Sequence, residues 1–218
     1  MALSKFNFNS FDVTTVASAG LGFNASANGF STINPGSMTL IKTITASSDS
    51  AVNFVHGSSD VVLDSTYPIY LFKIINVHVA NNDAHFRVNF SIDSGSNYNV
   101  AKTTTYFRAQ HTETGSSSFS YNDLDQANGT DYTGLSDSLM NANDASSSGE
   151  MYLFNPSSTT FVKHFLGKFN AMAHANFSGT GYSSGYMNTT SAINAVSFKH
   201  SSGNIDSGTF KLYGIKDS

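Results

Sequence analysis

The stretch Gly181-Tyr182-Ser183-Ser184-Gly185 has the form G-x-S-x-G, the spacing at which many hydrolases hold a serine nucleophile. That chemistry needs a sharp turn from a strand into a helix, so that the hydroxyl stands clear of a parallel sheet. The residues that follow, Tyr186-Met187-Asn188-Thr189-Thr190, have no helical period, and no strand-helix-strand alternation occurs in the chain. The motif is therefore expected to be a β-turn without a nucleophile. Asp123–Tyr132 (DLDQANGTDY) has the look of a calcium loop. Asp123, Asp125 and Asp131 offer oxygens and Gly129 a bend. Asn128-Gly129 comes one place late, however, and no Glu closes the loop, so a solvated acidic segment is expected. The seven histidines (His56, His78, His85, His111, His164, His174 and His200) never fall as H-x-H or H-x-x-x-H, which argues against a zinc site. The apolar segments hold almost no acids, which argues against the paired carboxylates of a glycosidase. The chain is expected to be no enzyme, with no catalytic residue, metal or cofactor.

The elements that carry these residues are strands. The chain has 218 residues, 18 Phe, 10 Tyr and no Cys. Charged residues make up 12%, roughly half the usual share of about 25%. Ser, Asn, Thr and Gly stand in their place. The net charge of -4 shows no electrostatic footprint for nucleic acid. The longest apolar run, Ile69–Ile75, is interrupted by Lys73 and falls far short of the roughly 20 residues of a membrane-spanning helix. Met1–Phe11 lacks the apolar core of a signal peptide, so synthesis in a cytoplasm is expected.

Alternation of apolar and polar residues marks the strands. His85–Ile92 places Phe86, Val88, Phe90 and Ile92 on one face. Gly208–Gly214 does the same with Phe210 and Leu212, near the end of the chain. Ile69–Val79 is nearly continuous apolar, as for a central strand covered on both faces. Met38–Thr45, Ala51–Val55, Thr103–Ala109, Met151–Phe154, Thr160–His174 and Ile193–Lys199 complete a set of eight to ten strands with little helix. The expected fold is all-β: an antiparallel two-sheet sandwich, jelly-roll-like, with an extended N-terminal arm.

Residues 1–37 form that arm, and Phe6, Phe8 and Phe11 are its candidate oligomer or attachment contacts, because exposed Phe side chains need a surface to cover them. Residues 38–218 form the sandwich. Within it, residues 112–150 carry seven charges, all acidic, and are expected to be one long loop with a short helix near Leu135–Asn143. Tyr121 and Tyr132 are its candidate surface-loop binding residues.

Sheet edges attract other chains, and proteins usually blunt them with charge. The weakly charged strands here therefore point to a subunit whose edges are covered in an assembly. Met38–Asp93 (MTLIKTITASSDSAVNFVHGSSDVVLDSTYPIYLFKIINVHVANNDAHFRVNFSID) resembles the opening of a domain common in virion structural proteins of marine tailed bacteriophages, including those of cyanobacteria. The segments GEMYLFNPSSTTFVKHF and SSGNIDSGTFKLYGI resemble its second half. Together the matching regions cover about residues 38–108 and 149–215. The resemblance implies a β-sandwich on the virion exterior, as a tail-fibre or receptor-binding component, or as a capsid decoration or head-fibre protein. The partners expected are other virion proteins, two further copies in a homotrimer, and a host surface glycan, with no nucleic acid and no membrane insertion. A lectin or carbohydrate-active enzyme is the alternative from another class.

Overall fold

The computed structural model describes residues 20–23, 26, 29–33 and 36–216. Phe6, Phe8 and Phe11 lie outside the described residues. The chain divides into two compact units, one of residues 1–39 with Ser218 and one of residues 40–217. In the first, β1 (Gly20–Phe23) and β2 (Phe30–Ile33) pair antiparallel, with the rings of Phe23 and Phe30 stacked 5.2 Å apart. Within the N-terminal region these two strands are thus paired.

The second unit is an all-β, antiparallel, two-layer sandwich. The strands are β3 (Met38–Asp49), β4 (Val52–Val55), β5 (Ile69–Val79), β6 (Ala84–Ser91), β7 (Lys102–Thr112), β8 (Ser117–Tyr121), β9 (Thr133–Leu139), β10 (Ser147–Phe154), β11 (Lys163–Ala173), β12 (Phe177–Met187), β13 (Ala195–His200) and β14 (Ile205–Ile215). Eight of them form the large layer, in the order β3-β14-β5-β10-β11-β12-β7-β8. Four form the small layer, in the order β9-β6-β13-β4. Strand pairing passes from one layer to the other at Ala173 with Leu139. From β3 to β7 each successive strand crosses to the other layer, as in a jelly roll.

Alternation explains the packing. On β11, Lys163, Phe165, Gly167, Phe169, Ala171 and Ala173 turn inward while the residues between them face out. Phe86, Phe198 and Phe210 meet Phe169 and Phe72 in an aromatic core drawn from both layers. The last strand lies between β3 and β5, with Phe210 and Leu212 buried, which ties down the C-terminal end.

Three expectations are corrected. β5 is covered on both faces only over Tyr70, Leu71 and Phe72; Ile75 is exposed and a bulge near Asn76 bends the strand. Residues 112–150 are not a single loop: they hold β8, β9 and the start of β10. Leu135–Asn143 is no helix, because Leu135 and Leu139 belong to β9 and are buried in the core. The high Ser, Gly and Asn content hid strands whose few apolar residues suffice once β6, β7 and β11 pair with them.

Candidate functional site

The G-x-S-x-G motif lies in the middle of β12 and is neither a turn nor a nucleophile elbow. Ser183 faces inward, 2% exposed, and its Oγ has no hydrogen-bond partner among the described residues. Small residues recur there because the space is taken. A Cβ on Gly181 would lie 2.5 Å from the Tyr106 hydroxyl and 2.9 Å from the Leu135 carbonyl. The motif is a packing pattern under a crossing strand.

The interior of this half of the sandwich holds charge. Lys102 on β7 is fully buried and donates to Asn89 Oδ1 at 2.7 Å and the Val100 carbonyl at 3.1 Å. Burial pushes its pKa down to about 8, against a smaller upward pull from Asp131. Lys163 donates to the carbonyls of Ser158, Phe161 and Thr189, tying two loops together. Asp137 on β9 accepts from Arg108 on β7 and sits 2.8 Å from His85 Nδ1 on β6. Burial opposes its ionisation, but the His85 hydrogen bond and the Arg108 charge hold the carboxyl below its usual value. His85 and Asp137 resemble an oriented base. The pair joins β6 to β9, where Ser138 N–H also points at His85 Nδ1, and Arg108 adds β7. No three His, Asp or Glu side chains among the described residues converge as a metal site.

The outward face of the large layer is different. Register places Lys211, Lys73, Glu150, Lys168, Tyr182, Phe107 and Tyr121 on one line across seven strands, β14-β5-β10-β11-β12-β7-β8. At one end Lys73 and Glu150 are paired at 3.9 Å. Beyond them the side chains stack: Lys168 Nζ lies 5.6 Å from the Tyr182 ring centre, Tyr182 is 5.0 Å from Phe107, and Phe107 is 5.3 Å from Phe119. Such contacts strengthen a sheet modestly. The stack ends bare, with Phe119 71% and Tyr121 62% exposed. Beside it runs a groove of about 320 Å³, lined by Tyr152, Leu166, Lys168, Tyr182 and Phe107 with Glu150 and Ser184.

Tyr121 belongs to this face, on β8, and its hydroxyl donates to Asp125 Oδ2 at 2.5 Å. Tyr132 does not join it. Its half-buried ring precedes β9, its hydroxyl donates to Ser197 Oγ at 3.0 Å, and Lys199 Nζ lies 4.1 Å from the ring centre. It braces the small layer. The sequence alone singles out none of Phe107, Tyr152, Leu166, Lys168 and Tyr182, which line the groove. The signal was present in the odd-even pattern of each strand, but only register lines the residues up. No protein-family model, curated protein or solved structure matches the chain.

Proposed function

We propose that this chain is a non-enzymatic structural subunit of a tailed-phage particle, displayed on the virion exterior as a tail-fibre or receptor-binding component. The observation that carries the reading is the aromatic face of the large layer, left bare at Phe119, Tyr121 and Leu166 on a weakly charged chain. A contiguous apolar patch of this kind marks a surface meant to be covered. The sequence resemblance supports the same reading. Its segments IYLFKIIN, MYLF and GTFKLYGI are β5, β10 and β14, three adjacent strands of that layer. The subunit is homo-oligomeric and held among other virion proteins. The groove, with Glu150, Lys168 and Ser184 beside apolar walls, suits a host surface glycan, whose hydroxyls need polar partners and whose C–H faces need aromatic ones.

The test is location. Antibody labelling of particles in electron micrographs, with mass-spectrometric copy number, is expected to place the protein on the tail. Label on the head favours the capsid-decoration reading, and absence from particles overturns the proposal. Removing residues 1–37 is expected to reduce incorporation. Release of product from host polysaccharide that disappears on changing one acidic residue would show an enzyme instead.

A further inference from the structure

β8 is an outer strand of the large layer: among the described residues it pairs with β7 alone. Its sequence, Ser-Ser-Phe-Ser-Tyr, has no charge and no Pro, the usual means of blunting an edge. The main chain shows which groups remain open. Thr112 N donates to the Ser116 carbonyl and Asn122 N to the Tyr106 carbonyl. Antiparallel pairs alternate between bonded and unbonded. Ser118 and Ser120 therefore direct their N–H and C=O groups toward β7. Ser117, Phe119 and Tyr121 direct theirs away from the sheet, on a strand whose two large side chains are the most exposed of the stacked face.

We propose that this edge is a two-fold joint, at which β8 pairs antiparallel with β8 of a second copy, Phe119 opposite Phe119 and Ser117 opposite Tyr121. The inference rests on the reading of the chain as an assembly subunit and names one of its contacts. Three features single out a second copy as the occupant. The open groups lie symmetrically about Phe119, so one strand supplies both halves of the ladder, as an isologous contact requires. The pairing brings no charge within β8 against another. It also continues the stack of Lys168, Tyr182, Phe107 and Phe119 through the axis into its own copy, covering the rings left bare. Glu113 before β8, and Asp123 and Asp125 after it, approach their counterparts across the joint, so salt strengthens association by screening them. A five-residue edge is a small contact, and being two-fold it links one oligomer to another, beside whatever contacts make a trimer.

The absence of Cys makes the test clean. Opposed residues of an antiparallel pair have Cα atoms about 5.5 Å apart, within the range of roughly 4.4–6.8 Å that a disulfide spans. In the full chain, Phe119→Cys is expected to form a covalent dimer under mild oxidation. Tyr121→Cys, on the same strand and almost as exposed, is expected to lag by about tenfold or more, because its thiols sit some 13 Å apart in this register and gain no effective concentration. Ser117→Cys combined with Tyr121→Cys restores cross-linking. Circular dichroism checks that each variant folds. Equal rates for Phe119→Cys and Tyr121→Cys, or no dimer from either, overturn the joint and leave the virion reading standing. Absence of the protein from particles, with the cross-link intact, does the reverse.

Discussion

Phe107 and Tyr182 lie directly opposite each other on β7 and β12, with ring centres 5.0 Å apart and planes 14° from parallel. Lys168 covers the far side of Tyr182 and Phe119 the far side of Phe107, so the two rings show solvent their edges. The pair therefore holds β7 and β12 together. A double-mutant cycle of Phe107→Leu and Tyr182→Leu, read by denaturant unfolding, is expected to give a coupling of about 1 kcal/mol. Additive losses would mean that the stacking contributes nothing beyond burial.

Ser183 and Gly181 separate packing from catalysis. Ser183 Oγ is buried without a partner, so Ser183→Ala is expected to be neutral or stabilising by up to about 1 kcal/mol. Gly181→Ala meets the Tyr106 hydroxyl and the Leu135 main chain, and is expected to cost about 1–3 kcal/mol in thermal or denaturant unfolding. A hydrolase would show the reverse order of importance in an activity assay.

Lys102 makes stability depend on alkaline pH. Burial lowers its pKa from 10.5 unfolded to about 8 folded, so the unfolded chain binds the proton more tightly between those values. Stability from this group rises as pH climbs through 8 toward 10.5, by up to about 3 kcal/mol. Between pH 7.5 and 9.5, below the tyrosine range, Lys102→Met is expected to flatten that rise. Lys102→Ala is expected to destabilise by about 3 kcal/mol or more, because the Val100 carbonyl loses this donor, Asn89 Oδ1 keeps only the Phe90 N–H, and a cavity opens.

His200 sets the acid limit. Both its ring nitrogens are buried beside Phe86 without partners among the described residues, and burial, with a smaller contribution from His78, lowers its pKa from 6.5 to about 4. Its contribution is complete above pH 6.5 and is lost as pH falls toward 4, about 3 kcal/mol in all. His200→Phe is expected to remove this slope in urea titrations between pH 7 and 4.

Asp137 acts in a lower window. Its folded pKa lies below the ordinary 3.8, so its stabilisation is present above that value and is lost only as pH falls further. Asp137→Asn leaves Arg108 without its counter-charge and is expected to cost about 3–5 kcal/mol at pH 7. The loss from His200 and the loss from Asp137 should therefore appear as two separable steps in an acid titration.

Strands with strict alternation were legible in the sequence. β6, β11 and β14 bury the parity marked by Phe86, Val88 and Phe90, by Phe165 and Phe169, and by Phe210 and Leu212, because in a strand the side-chain period is a local property. The all-β antiparallel sandwich follows from many such segments with turn residues between them. What lay beyond the sequence was every statement about opposition. Nothing local tells that Gly181 lies against a crossing strand, that Lys102 finds Asn89 in the core, that Tyr132 leans on Ser197, or that residues 112–150 contain two strands. The line from Lys211 to Tyr121 draws on seven strands scattered over the chain and exists only through register. Alternation assigns a side chain to a face, whereas pairing between distant strands decides what that face meets, and burial, charge and exposure follow from the second.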